Sequence, residues 1–130
     1  MKEGLEARHR LRLSQVDAHY GGDLVAGGHL MELFGDVATE LCIRADGDEG
    51  LLAGYSEVAF LQPVYAGDFI EIVAKIIRVG QTSREMSFQV LRYASSRPDV
   101  SDSAADLALQ PEVVATATGT CVVKEDRQRL

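Results

Sequence analysis

Gly28-His29-Leu30-Met31-Glu32-Leu33-Phe34-Gly35-Asp36-Val37-Ala38-Thr39-Glu40-Leu41-Cys42-Ile43-Arg44 is the stretch that commits this chain to one architecture. Leu30, Leu33, Phe34, Val37, Ala38 and Leu41 recur at i, i+3, i+4, i+7 spacing, and at about 100° per residue they share one continuous apolar arc. The spacing predicts an amphipathic helix of about four turns. It ends at Asp46-Gly47-Asp48-Glu49-Gly50, where glycines offer the left-handed backbone that other residues avoid.

On the N-terminal side, Val16–Gly28 gathers Gly21, Gly22, Gly27 and Gly28, two aspartates and the pair His19-Tyr20. So many flexible and polar groups predict an irregular, functional loop. Before it, Ala7, His9, Leu11 and Leu13 alternate with Arg8, Arg10, Arg12 and Ser14, the period of a half-buried strand over Ala7–Ser14. After the helix, apolar segments at Leu51–Leu61, Phe69–Val79, Arg84–Tyr93 and Val113–Val123 predict four more strands. Gly80-Gln81-Thr82-Ser83 is short enough for a hairpin, and Gln62–Asp68 reads as a turn. Residues 94–111, rich in Ser, Asp, Ala and Pro, are expected to form an exposed, partly mobile insertion. In the last segment Ala115, Ala117, Gly119 and Cys121 put small side chains on one face, leaving room for a bulky neighbour assigned to the helix. The sum is an α+β fold, one domain over residues 1–130, with a five-stranded antiparallel sheet wrapped around one long central helix.

Composition narrows the function. The 130 residues carry 20 acidic and 13 basic side chains, a net charge of −7, and the Lys and Arg are scattered, so no nucleic acid partner is expected. With 46% hydrophobic and 25% charged residues the chain suits a globular fold. No apolar run approaches the ~18 residues of a membrane span. Met1-Lys2-Glu3-Gly4 lacks the apolar core of a signal peptide, so a cytoplasmic location and no membrane partner are expected. Cys42 and Cys121 have neither zinc-site nor redox-pair spacing and read as small core residues. A chain this short buries roughly two-thirds of its unfolded surface, which leaves little room for a deep private pocket and favours a ligand site at a subunit interface.

A helix start offers unpaired N–H donors and a partial positive charge, so Gly27 and Gly28 are candidates for holding a polarised oxygen, or serve only a tight turn. His29, Asp36 and Glu40, at i, i+7 and i+11, fall within about 40° of one another at the border of the apolar arc. Partial desolvation there would raise a carboxyl pKa and suit it to moving protons, although a solvated flank has the same pattern. No Gly-x-Ser-x-Gly elbow, phosphate loop or dinucleotide fingerprint is present. His9, His19 and His29 belong to three separate segments, so no metal site is expected.

Asp17-Ala18-His19-Tyr20, Gly22-Asp23-Leu24-Val25, Gly35-Asp36-Val37-Ala38-Thr39-Glu40-Leu41, Asp46-Gly47-Asp48 and Pro63-Val64-Tyr65-Ala66-Gly67-Asp68 together resemble the CoA-thioester ammonia lyases of the hotdog superfamily. The resemblance runs from about Asp17 to Tyr93 and resumes in the last strand. It implies a hotdog fold whose subunits join edge to edge as a homodimer, with a dimer of dimers or trimer of dimers as further assemblies. It also implies reversible loss of ammonia from a 3-aminoacyl-CoA such as 3-aminobutyryl-CoA to give crotonyl-CoA, as in lysine fermentation, with no cofactor beyond the coenzyme A of the substrate. Asp36 or Glu40 would be the base. Asp17, with the other helix carboxylate, would hold the ammonium group, and His19 and Tyr20 would orient the thioester or relay a proton. Asp23 stands where the family pattern has Asn, and Ala59 where it has a glutamate; Glu57 shares the strand parity of Ala59 and is the candidate substitute in the substrate site. Lys75, Arg78, Arg84, Arg92 and Arg97 are candidates for meeting CoA phosphates. The competing functions are an acyl-CoA thioesterase on the same fold, a non-catalytic acyl-CoA-binding module and a 3-hydroxyacyl-CoA dehydratase.

Overall fold

Helix α1 spans Gly27–Asp46, one residue earlier and two later than its apolar spacing predicts. The computed structural model describes residues 1–130. α1 stops where Gly47 takes a left-handed conformation (φ 70°) and its N–H donates to the Ile43 carbonyl at 2.8 Å. Its buried face is the apolar arc, with Leu30, Phe34, Val37, Ala38 and Leu41 all inaccessible. Each of the larger side chains contributes about 1.5–3 kcal/mol by leaving water.

Five antiparallel strands supply the opposing surface: β1 (Glu6–Arg12), β2 (Leu51–Phe60), β3 (Phe69–Val79), β4 (Ser83–Ser96) and β5 (Ala105–Val122). Their order is β1-β3-β4-β5-β2, so β1 and β2 are the two free edges. Register shifts interrupt β2–β5 at Leu52/Gly54 and Tyr55/Glu57, β3–β4 at Ile76/Arg78 and β4–β5 at Arg92/Ala94. Bulges of this kind bend a sheet, and here they curl it around the helix. Ile70, Ile72, Ala74 and Ile76 of β3 and Met86, Phe88 and Val90 of β4 face the helix in one apolar core.

Two predicted features take a different form. Residues 94–111 are mostly exposed but largely strand: β4 and β5 continue past the core as a two-stranded arm, pairing Ala94 with Leu107 and Ser96 with Ala105. Arg97 ties the turn of this arm to Asp99 and Asp106 at 2.8 and 2.7 Å. The small face of β5 lies under aromatic rings rather than against the helix alone. A Cβ on Gly119 would sit 3.2 Å from Tyr55 and 3.3 Å from Phe88. Phe34 of the helix stacks on Phe88 at 5.1 Å, so these rings fill the space between strand and helix.

One buried polar cluster fastens the C-terminal end of α1. Asp46 and Arg84 are both inaccessible, and the guanidinium donates two hydrogen bonds to the carboxylate, at 2.8 and 3.0 Å. Lys2 adds a further bond to Asp46. Burial pushes the Asp46 carboxyl up, but the bonds from Arg84 and Lys2 outweigh it and hold the group below the ordinary carboxylate range. Arg84 is therefore a structural cation, unavailable to CoA phosphates.

Candidate active site

The segment leading into α1 folds as two short 3-10 turns, Gln15–Asp17 and Gly21–Asp23, and the chain then bridges to Tyr65 through Leu24. Gly22 (φ 70°) and Asp23 (φ 62°) both take positive φ; glycine does so freely and aspartate more readily than most residues. Val25 N–H bonds the Val64 carbonyl at 2.8 Å and Ala66 N–H bonds the Asp23 carbonyl at 2.9 Å, so the loop is laid against the strand-connecting turn in a fixed position. The helix start it delivers is open. The N–H groups of Gly27 and Gly28 find no acceptor within the chain, and the first turn carries no acidic residue to compete for them.

An apolar groove of about 290 Å³ runs up to this helix start, walled by Tyr20, Leu24, Gly27, Leu30, Phe60 and Leu61 among others. Gly27 is required by the packing: a Cβ there would lie 2.6 Å from the Phe60 ring. Phe60 and Leu61 are each 52% exposed, an apolar surface at the end of edge strand β2. A second, polar cavity of about 600 Å³ lies beside the loop, lined by Asp23, Tyr65, Asp68, Arg92, Ser95 and Asp102 among others.

The predicted site residues are only partly brought together within one chain. Tyr20 and Gly27 share the groove, while Gly28 is exposed beside it. His19 is exposed and packs edge-on against Tyr20 at 5.1 Å. Asp17 stands at the helix start, where its Oδ2 accepts hydrogen bonds from Ser14 N–H (2.8 Å) and Ser14 Oγ (3.2 Å), and its Oδ1 lies 3.3 Å from His29 Nε2. Asp36 is exposed further along α1, on the stripe that begins at His29. Asp23 lines the polar cavity instead, and Glu57 is exposed on β2.

Glu40 departs most from its predicted character. His9 of β1 bonds one carboxylate oxygen at 2.8 Å and Arg44 the other at 2.7 Å. The Arg44 bond, reinforced by that of His9, holds the Glu40 carboxyl below its usual range, where desolvation was expected to raise it. The helix border at Glu40 is a salt-bridged flank, because β1 places an imidazole opposite it.

The model of the thioesterase superfamily matches residues 22–94. The 3-aminobutyryl-CoA ammonia lyase of Acetoanaerobium sticklandii is 52% identical over 120 residues, covering 92% of this chain and 95% of the relative. The chain belongs to the hotdog-fold CoA-ester ammonia lyases of the thioesterase superfamily. The solved structure of beta-alanyl-CoA:ammonia lyase from Clostridium propionicum superimposes with a TM-score of 0.93 at 37% identity, covering 98% of this chain and 90% of that one. A hexameric hotdog-fold thioesterase of Campylobacter jejuni matches at TM-score 0.74 and 19% identity, over 94% of this chain and 86% of its own, and shares the fold.

For this member of the ammonia-lyase family, most of the predicted phosphate-binding cations are already engaged. Arg92 is paired with Asp68 and Glu112, Arg97 with Asp99 and Asp106, and Arg78 lies 3.9 Å from Glu85. Lys75, exposed on β3, is the one of the five without an ion-pair partner. The groove wall Phe60-Leu61 had no local signal beyond its position at the end of an apolar strand. The partnership of Asp17 with His29 had none either, since it joins a turn to a helix across twelve positions. No group of three or more His, Cys, Asp or Glu side chains is placed to hold a metal ion, and no helix is long and apolar enough to cross a membrane. Cys42 and Cys121 are both buried and free, as small core residues.

Proposed function

We propose that this protein is a 3-aminobutyryl-CoA ammonia lyase, interconverting 3-aminobutyryl-CoA with crotonyl-CoA and ammonia. The observation that carries it is the identity of about half of all residues, over nearly the whole of both chains, with the relative of that name. The site supplies what such an elimination needs. The acyl group lies in the apolar groove, which ends at the free N–H groups of Gly27 and Gly28. Placed at the thioester oxygen, these donors stabilise the enolate, an effect worth about 3 kcal/mol per well-aimed donor. Asp36 takes the proton from the carbon next to the thioester, and the electron pair left behind expels ammonia from the third carbon. The leaving group departs as a neutral amine, so the chemistry calls for a base and no nucleophile.

Asp36 is exposed and does not line the groove of its own chain, so in this reading a second copy completes the site. Strand β1 is rich in charge: Glu6, Arg8, Arg10 and Arg12 stand on it, and Arg8 and Arg10 both pair with Glu71 of the neighbouring β3. Strand β2 carries one charged residue, Glu57, in ten. Two β2 edges joined antiparallel form a homodimer with a continuous sheet and cover Phe60 and Leu61. Pairing of such dimers into larger assemblies, a cytoplasmic location and independence from any cofactor beyond the substrate's coenzyme A belong to the same proposal.

An acyl-CoA thioesterase is the second reading, favoured by the superfamily to which the matching model belongs. Incubation with crotonyl-CoA and ammonium separates them. A lyase consumes the enoyl double bond with no free thiol released; liberation of coenzyme A thiol with the double bond intact would establish the thioesterase and overturn the lyase.

A further inference from the structure

His29 sits in the first turn of α1, directly after the two glycines whose N–H groups are free. Its Nε2 faces Asp17 Oδ1 at 3.3 Å, and Asp17 is its only ion-pair partner. The other oxygen of Asp17 is held by two bonds from Ser14. The carboxylate is therefore anchored on one side and turned toward the imidazole on the other. The two side chains are only 19% (Asp17) and 26% (His29) exposed, so the pair is sheltered without being sealed. Nδ1 of His29 makes no hydrogen bond within the chain and is not a buried orphan, which leaves it open to solvent or substrate. One ring nitrogen facing a carboxylate and the other free is an arrangement in which an imidazole can exchange protons, because the contact with the anchored carboxylate sets the position of the ring. Asp17, committed to Ser14 and His29, is then an orienting group rather than the cradle for the substrate's ammonium.

We propose that His29, oriented by Asp17, exchanges the proton between ammonia and ammonium at this site. This rests on the ammonia-lyase reading above. In elimination, the carbon–nitrogen bond breaks with its electron pair going to nitrogen, and protonated His29 gives its Nδ1 proton to the departing ammonia, which leaves as ammonium. The proton taken from carbon by the base returns to solvent, and solvent recharges the imidazole. In addition, neutral His29 removes a proton from ammonium, and the resulting ammonia attacks the enoyl double bond. His29 thus lets the enzyme draw on ammonium, the abundant form at neutral pH.

The test follows the addition direction, with crotonyl-CoA and ammonium chloride at several pH values between about 5 and 8, the window in which imidazole side chains in general change charge. Replacing His29 by Gln is expected to slow addition about 100-fold at neutral pH, the scale of a lost proton-transfer group. The residual rate should climb with the free ammonia concentration, while the wild-type rate climbs less steeply. Asp17→Asn should give a smaller loss and added imidazole should restore part of the His29→Ala rate. His29→Asn serves if His29→Gln does not fold, with circular dichroism as the control. A folded His29 variant with the wild-type rate and pH profile, or a slow one that neither follows free ammonia nor responds to imidazole, would overturn the proposal. Wild-type protein that adds no ammonia at all would instead remove the lyase reading itself, and His29's role with it.

Discussion

Asp36 and Glu40 share a stripe on α1 but differ in company, and their substitutions should differ accordingly. Asp36 has no hydrogen-bond partner within the chain, and Asp36→Asn is expected to lower kcat by about 100-fold or more with the fold retained by circular dichroism. Glu40→Gln should leave turnover within severalfold of wild type and change acid stability instead. Its folded-state carboxyl is held below the ordinary value of 4.5, so the ionised group stabilises the fold above that pH, and the contribution is lost as pH falls through the lowered value. In the variant that increment is missing at neutral pH and the stability curve on the acid side is flatter, which urea titrations between pH 3 and 7 would show. Gly27→Ala drives a methyl group into the Phe60 ring. A stability loss of about 1–3 kcal/mol and a higher KM for the acyl-CoA are expected, read by denaturation and by initial rates. At this scale the sequence was informative about residue types and silent about partners. The glycines before the helix and the stripe of His29, Asp36 and Glu40 were visible in the spacing. The pairing of Glu40 with His9 spans 31 positions, and no local pattern encodes which imidazole a given carboxylate will meet.

The elements were legible wherever an apolar period had one dominant cause. α1, β3 and the core portions of β4 and β5 bury one face each, so their alternation survives in the sequence. The arm of β4 and β5 was not legible, because its β5 side is exposed on both faces and its pairing is sustained by backbone bonds and by Arg97 more than by burial. The buried ion pair at the end of α1 was missed for a related reason: Asp46 is inaccessible although the sequence places it in a polar turn. Arg84→Met would leave the Asp46 carboxylate with Lys2 as its only side-chain partner. A loss of about 3–5 kcal/mol in urea unfolding is expected, and Asp46→Leu added to it should recover much of that loss, since an apolar pair of similar volume needs no compensating charge.

For the molecule as a whole, the proposed homodimer rests on the contrast between the two sheet edges. Ser56 is the extra residue of the Tyr55/Glu57 bulge and lies outside the β2–β5 pairing. Ser56→Pro removes the backbone donor at the bulge and the long Ser56 Oγ bond to the Thr118 carbonyl (3.4 Å), and it blocks an incoming strand. The variant is expected to remain folded, with a melting temperature within several degrees of wild type, but to run as a monomer in light scattering and to lose activity. Retention of the wild-type mass would show that the molecules meet elsewhere. The position of Phe60 has a consequence for how the enzyme behaves in dilute solution. In the proposed dimer the same ring ends the edge on which two copies join, and it presses on the glycine that opens the helix, so dissociation would free the ring and let the groove relax. Specific activity should then decline as the enzyme is thinned toward the concentration at which its partners separate, and return on reconcentration, making catalysis a gauge of subunit supply.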